Sequence, residues 1–536
     1  MVKRVCIILG ISLLIFGGAF PVLAQEADPA IGAAPFDLLP ALLLFLPLGL
    51  ILLISSALPE DQAPAAAVAL LLSWGLAGLA YFLVGFAFQF GGIAQVSPNP
   101  DFGGLYWEWY PLDQSVDVAV ARLWGVIAFQ GWALAGEAAT PSVFRLFAAH
   151  VALVGVATLI PAGALLQRAR PASAILTGLL MGIIVYPLSG NWLWGGGWLA
   201  NLGANLGLGH GFVDFGGASV VFFAGSVVAL MAMHLFEPTV DKTPPPPAEV
   251  VIPLDGGSPL TVYADQTEPE PAAMGLPTTP MPSAYLPILG LLGAGMSLIG
   301  WFGLASGVHL PTAINYIPAQ AGVGGLLAAL SGALAAAGYS WFTTRSLDPL
   351  MIGRGLLAGL VVASAGAPFV PPGLLVLAGL LIGLALPPLI YLFTHRFELA
   401  DELGVLATYG VSAGVGLLWV GLFADGRRGQ GWNSLADASI PTGSGVSGWW
   451  VKAGLVADWP GQFQAQLIGL GAVVFLAVAG SLLLFQTIKA VARSWADTGL
   501  EWADPGQARP PRTARSTEPD SAIREEEAEE VSESAD

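Results

Sequence analysis

Long unbroken runs of Leu, Ala, Val, Ile and Gly, separated by short polar or Pro/Gly-rich breaks, set the rhythm of this chain. The runs are continuous and not short alternating stretches, so they read as helices and not as half-buried strands. Eleven are long enough to cross hydrocarbon, which takes about 20 residues. They lie at 36–57, 64–90, 142–166, 172–194, 214–236, 284–307, 318–343, 351–370, 372–394, 402–424 and 463–488. Inside a bilayer every backbone polar group must be paired within the protein, which leaves helices or a closed barrel. Continuous runs point to helices. The predicted fold class is all-α and integral to a membrane.

The breaks divide the chain. Residues 1–24 read as a signal peptide: Lys3 and Arg4 form a basic start, an apolar stretch follows from Val5 to Phe20, and Val22-Leu23-Ala24 resembles a cleavage site. An uncleaved extra helix is the alternative, and the polar Gln25-Glu26-Ala27-Asp28 favours an exported end. Residues 36–236 hold five helices, 237–282 form a cytoplasmic linker, 283–425 hold five more, 426–495 carry an outer loop and a last helix, and 496–536 form a tail. The linker, with Pro244-Pro245-Pro246-Pro247 and scattered acids, has too little apolar surface to fold alone. Segment 91–141 reads as an external loop with a partly buried or interfacial helix in its apolar piece, 119–136. Its cluster Tyr106-Trp107-Glu108-Trp109-Tyr110 suits a membrane–water boundary, or a lid over a pore mouth.

Composition agrees with the pattern. The 536 residues are 55% hydrophobic and 10% charged, where a soluble domain carries about 25% charged residues. The net charge of −18 says little about a binding site. From Glu518 to Asp536 nine acids stand against Arg524 alone, so the solvated tail supplies −8 of it. The one cysteine, Cys6, lies in the signal segment, so neither disulfides nor cysteine–metal chemistry is expected of a cleaved chain.

An odd number of crossings puts the two ends on opposite sides. An exported N-terminus places the C-terminus in the cytoplasm, in a multi-pass protein of the inner (plasma) membrane. Arg168 and Arg170 after the third helix, His395 and Arg396 after the ninth, and Lys489 and Arg493 after the eleventh then fall inside, as basic residues prefer. Arg427 and Arg428 dissent.

Several local sequences resemble the ammonium transporter (Amt/Rh) family. Trp194-Gly195-Gly196-Gly197-Trp198 resembles its WGGG turn, and Val213-Asp214-Phe215-Gly216-Gly217 with Val220-Val221 resembles its LDFAGG…VVH segment. Gly300-Trp301-Phe302-Gly303 followed by Gly307 is similar to its GWFGFNAGS helix. Gly355–Pro368 fits its small-residue helix, Asp401-Glu402-Leu403 with Tyr409-Gly410-Val411 resembles its DDxLDVFGVHGV helix, and Gln464–Gly471 resembles the start of its last helix. The order and spacing hold from about residue 36 to 495. The resemblance implies two inverted five-helix repeats around a central pore, a last helix across the outside, and a trimer. Such repeats place a substrate path near the midplane. The chain echoes that symmetry: Asp214 precedes Phe222, and Asp401 precedes Tyr409, by the same eight residues, about 12 Å of helix.

At the pore the chain departs from the pattern. Phe222 stands where the family has its first pore histidine and Tyr409 where it has the second. The family's serine at the ammonium site falls at Val308, an asparagine nearby at Ala305, and the aromatic gate of the third helix near Leu153. By resemblance Trp194 offers a cation–π face, worth about 0.5–2 kcal/mol, and Asp214 orients the start of the fifth helix. An interfacial tryptophan and an N-cap aspartate are the structural alternatives. Phenylalanine has no donor or acceptor, and a tyrosine hydroxyl, with a pKa of about 10, relays protons poorly at neutral pH. Dehydrating an ammonium ion without replacement ligands costs many kcal/mol.

Of the other histidines, His150 in the third helix is an ionisable residue inside a membrane, a rare and often functional placement, with a packing role as the alternative. His210, His234 and His309 lie in the outer loop, at the end of the fifth helix and past the sixth. No spacing suggests a metal site, a cofactor, a nucleotide loop, a nucleophile elbow or a catalytic carboxylate pair, and nucleic acid is not an expected partner. The expectation is no enzyme. It is a channel for ammonia, ammonium or a similar small neutral or cationic solute, with weak or altered conduction, in a homotrimer or heterotrimer within the lipid bilayer. The alternative is a non-conducting paralogue acting as sensor, scaffold or structural subunit.

Overall fold

Proline and short polar side chains start most of the helices. Thr140 accepts from the backbone N–H of Val143 with Pro141 in the first turn, and Asp348 accepts from those of Leu350 and Met351 with Pro349 behind it. Proline at that position loses no helical hydrogen bond and brings a helical φ with it. The computed structural model describes residues 38–111, 124–169, 171–236, 249–252, 260–263, 282–312, 314–401, 403–434 and 445–496. Residues 1–37 with Cys6, Arg170, Glu402, most of 237–281 and the acidic stretch after 496 lie outside them, and with them the expected signal peptide.

Among the described residues 10 helices are long and apolar enough to cross a membrane. They are α1 (Leu38–Ser56), α2 (Ala63–Gln95), α3 (Pro141–Leu166), α4 (Pro171–Leu193), α5 (Ala218–Leu235), α6 (Ser283–Ala305), α7 (Pro318–Thr344), α9 (Pro372–Arg396), α10 (Leu406–Phe423) and α11, whose membrane part is Gly461–Gln486. Between α7 and α9 lies a shorter apolar helix, α8 (Pro349–Ser364). The fold is all-α and integral to the membrane.

The two sets of five repeat one packing scheme. In the first, α2 packs on α4 and α3 on α5; in the second, α7 packs on α9 and α8 on α10. Helices α1 and α6 join the sets. Their contact is close because glycines meet: a Cβ on Gly49 would lie 2.4 Å from the Gly293 carbonyl oxygen, and one on Gly293 2.5 Å from that of Gly49. Small residues of this kind let helix backbones touch in a membrane, where dispersion rather than the hydrophobic effect drives association. Helix ends also meet. Arg168, past α3, donates to the carbonyls of Leu399 and Ala400, past α9, and Lys489 of α11 donates to the Leu235 carbonyl at the end of α5. The ends of α3 and α9 thus lie together, as do the ends of α5 and α11. Arg427, which dissented from the charge bias, is paired with Asp425 at 2.6 Å.

Four expectations change. Helix α5 starts at Ala218 and not near Asp214, because the N–H groups of Phe215 and Gly216 are taken by the carbonyls of Ala365 and Ser364. The same contact ends α8 at Ser364, short of the expected 370. In the described part of 119–136 no helix longer than a single turn forms. Ile127–Ala128 (β2) pairs antiparallel with Glu108–Trp109 (β1), and Trp132–Leu134 makes one 3₁₀ turn. Here Phe129 packs on Phe88, Trp107 and Trp132, and Tyr106, Trp107 and Trp109 are exposed. Within the linker, Glu249–Ile252 (β3) and Leu260–Tyr263 (β4) form an antiparallel pair. The expectation of a segment without structure of its own overlooked two β-branched runs, which favour a hairpin.

Candidate functional site

Both repeats place an aspartate at the mouth of a membrane helix in the same way. Asp214 accepts from the N–H groups of Ala218 and Ser219 at 2.8 and 2.6 Å, and from the Ser219 hydroxyl at 2.6 Å. Asp401 accepts from the N–H groups of Val405 and Leu406, both at 2.8 Å. Each aspartate is followed three residues later by a glycine in the left-handed region, Gly217 (φ +78) and Gly404 (φ +64), a conformation that costs a side chain dearly. Each helix then opens with a π-helical turn, Ala218–Phe223 and Leu406–Val411. Such turns are rare and concentrate at functional sites. Both carboxylates are fully buried and act as caps, an arrangement the helix dipole favours.

The π-turns carry Phe222 and Tyr409 to one another. Their rings stack with centroids 6.3 Å apart and an interplanar angle of 11°, and the side chains are 5% and 3% exposed. Val308, Ala305 and Leu153 are likewise buried and apolar. On the neighbouring α8, Arg354 is close enough for its charge to act on Asp401 and on Tyr409. An arginine was visible in that predicted span, and its position inside a membrane marks it as functional by default. Its nearness to Tyr409 was not visible.

Trp194 is buried and not interfacial. It ends α4, donates from Nε1 to the Asp214 carbonyl oxygen at 3.2 Å, and borders a cavity with Val96, Asn201, Leu310 and Pro311. Its ring centroid lies 5.4 Å from those of both His150 and His309. These two imidazoles, fully buried, form a cluster that the sequence reading had left as scattered histidines. His150 faces the hydroxyl of Tyr186 at 2.6 Å and Gln89 at 3.4 Å, and Gln89 accepts from Tyr81 at 2.9 Å. Burial pushes the His309 imidazole, in the loop after α6, down to about 4 despite its bond to the Phe215 carbonyl. His210 sits in the loop before α5, bonded through its own N–H to Gln462, and His234 lies in the last turn of α5. Neither joins the cluster. Gln462 and Gln466 of α11 clamp residues 210–213, and Gln466 also reaches the Leu417 carbonyl of α10.

A further group was missed because burial decides it. Glu108, in the exposed-looking aromatic cluster, is 8% exposed and takes one hydrogen bond, from Asn191 at 3.2 Å. It fits because Gly92 and Gly125 have no side chains: a Cβ on either would lie 2.3 or 2.0 Å from its carboxylate oxygens. Burial pushes the carboxyl up to about 8, against the Asn191 bond. Between about 4.5 and about 8 the unfolded chain gives up this proton and the folded one keeps it, so stability falls as pH rises through that window. The slope is at most about 1.4 kcal/mol per pH unit. Glu108→Gln is expected to gain thermal stability over the wild type progressively from pH 5 to 8; a difference independent of pH would contradict this assignment. Among the described residues no group of His, Cys, Asp and Glu is arranged to hold a metal ion.

The family model described as Ammonium Transporter Family matches residues 36–250 and 282–503. "Ammonium transporter Amt2" of Archaeoglobus fulgidus is 26% identical over 426 residues, which cover 78% of this chain and 74% of that protein. "Ammonium transporter Amt2" of Haloferax mediterranei is 28% identical over 344 residues, covering 62% of this chain and 65% of that one. Among solved structures, "Sensor Amt Protein" superposes with a TM-score of 0.61 at 21% identity over 87% of this chain and 96% of its own. Mep2 of Saccharomyces cerevisiae superposes with a TM-score of 0.57 at 19% identity, over 88% and 91%. The structural likenesses carry the fold, and the match of the family model over both sets of helices shows the rest: the chain belongs to the ammonium transporter family.

Proposed function

We propose that this family member handles ammonia, ammonium or a similar small solute through a pore that conducts weakly or not at all. The stacked Phe222 and Tyr409 pair carries the reading. It sits where the two capped π-turns converge, and it offers a desolvated cation no paired acceptors. Trp194 and Asp214 keep their places at the cavity and at the mouth of α5. The chain acts in the inner (plasma) membrane with its N-terminus outside and its C-terminus in the cytoplasm, as a homotrimer or a heterotrimer with a conducting paralogue, and catalyses no reaction. The Gly/Ala-rich helices suit such packing, and the caps at α5 and α10 suit two related repeats. A second reading, a non-conducting sensor or scaffold, draws on the same closed pair. Stopped-flow uptake of ammonia and methylamine by vesicles holding the purified protein tests the proposal. Rates near those of protein-free vesicles are expected, and rapid ammonium-driven uptake would refute the closed pore.

A further inference from the structure

Strand β1 turns Glu108 inward while Trp107 and Trp109 on either side stay exposed, and its carboxyl comes to rest between the outer ends of two helices. The weak-pore reading makes no use of it. At the end of α2, the N–H of Trp107 donates to the Gly91 carbonyl at 3.0 Å, and that of Ala94 to the Leu105 carbonyl at 2.8 Å. From the end of α4 and the turn after it, the Trp192 indole donates to the Val126 carbonyl and the Trp198 N–H to that of Gly125, both at 2.9 Å. Asn191 ties the three parts together, since its amide donates to the Gln89 carbonyl of α2 and to Glu108 Oε1, both at 3.2 Å. Charge is scarce around this point. Residues 86–97 of α2, 186–201 of α4 and its turn, and 124–135 around β2 include no Asp, Glu, Lys, Arg or His. Tyr186, the one titratable side chain among them, faces His150. On the arm that carries β1, Asp101 accepts from Ser142, the Tyr110 hydroxyl donates to Gln95, Tyr106 is exposed, and Glu137 lies beside Gly104. Among the described residues no cation therefore compensates an ionised Glu108.

We propose that Glu108 and Asn191 form a proton-operated latch: a neutral Glu108 holds the outer hairpin against the ends of α2 and α4, and an ionised one releases it. A buried carboxylate with one donor and no counter-charge is costly. Gly92 and Gly125 press so closely on the carboxyl that a methyl group would not fit at either, which leaves no space for a solvating water. The charge is relieved by lifting the strand. Burial keeps the carboxyl neutral up to about 8. In the lifted hairpin it returns to the ordinary range, so the opening constant rises by up to about tenfold per pH unit between about 4.5 and about 8. Above that both states have lost the proton, and the rise stops. The membrane helices keep their own hydrogen bonds when the hairpin lifts, so release costs less than unfolding. The effect reaches the outer cavity. The segment that follows Gly91 runs through Val96, which borders the cavity, to Ser97, which donates to the Pro311 carbonyl at 3.0 Å. The latch thus sets how firmly one wall of that cavity is held, whether or not the pore conducts.

Hydrogen exchange of the full chain in lipid nanodiscs tests the latch, read by mass spectrometry across the alkaline and mildly acidic range and corrected for the intrinsic exchange rate at each pH. In the wild type, peptides covering 91–97, 105–111 and 124–130 should lose protection by up to about tenfold per pH unit below about 8. Peptides from α3 and α11 should keep theirs, which separates local release from loss of the fold. Glu108→Gln is neutral at every pH and close to Glu in shape. It should hold the hairpin with no dependence on pH. The wild type alone supplies a second mark, which stands if the variant fails to fold: the loss of protection should level off above about 8. Constant wild-type protection below that point would overturn the latch. So would a slope that persists in Glu108→Gln, a slope that continues undiminished above about 8, or an equal loss in α3 and α11.

Discussion

Replacing Phe222 and Tyr409 together by histidine is expected to bring ammonium-driven current to a protein that carries almost none. The rings face each other at 6.3 Å and close to parallel, so two imidazoles in their place would lie within reach of one another and of a small amine. Imidazole supplies what phenylalanine lacks, a donor and an acceptor that replace part of the water a cation gives up. Each 1.36 kcal/mol taken from the barrier is about a tenfold gain in rate, and one or two added hydrogen bonds to a charged solute contribute about 1.5–3 kcal/mol each. The double variant should therefore conduct at least about tenfold above background. Its current should change with pH around the range where imidazole titrates, while the wild type stays flat. Val308→Ser, which introduces a hydroxyl at the residue before His309, is the next addition if the gain is small. Solid-supported membrane electrophysiology gives both currents. A robust wild-type current would refute the closed pore. Silence in the wild type and in a well-folded double variant would favour the sensor or scaffold reading instead.

Asp214→Ala is expected to cost the fold more than any single change in the pore. The carboxylate, fully buried, accepts three hydrogen bonds, from Ala218, from Ser219 and from the Ser219 hydroxyl. Removing it strands those donors, and a buried unsatisfied donor costs about 1–3 kcal/mol. Even at the low end the sum is about 3 kcal/mol, a large share of the 5–15 kcal/mol that holds a typical domain together. Asp401→Ala strands two N–H groups, those of Val405 and Leu406, and should cost less. Asp214→Asn keeps one acceptor oxygen and should fall between the alanine variant and the wild type. Monodisperse yield and thermal unfolding in mild detergent rank the three. A wild-type unfolding temperature for Asp214→Ala would show that the cap is dispensable, and with it the argument from the two matched helix mouths.

How much of this was legible beforehand depends on the range of the interaction. The sequence by itself determined the membrane class, the spans and most of their ends. A hydrophobic run, a proline in the first turn or a capping aspartate acts within a few residues, and burial in lipid rewards each run independently of its neighbours. It also determined the matched offsets of Phe222 and Tyr409 from their aspartates, because each offset lies within eight residues of chain. Where distant backbone intervened, local pattern failed. Helices α5 and α8 stop short of their apolar runs because Phe215 and Gly216 bond to Ser364 and Ala365 across the two repeats. Only the tertiary structure turned Glu108 inward between Gly92 and Gly125, brought Arg354 within reach of Tyr409, and joined His150 to His309, 159 residues away. Burial and hydrogen-bond partnership belong to the assembled bundle, since each is fixed by which surfaces close against one another and no single segment encodes that.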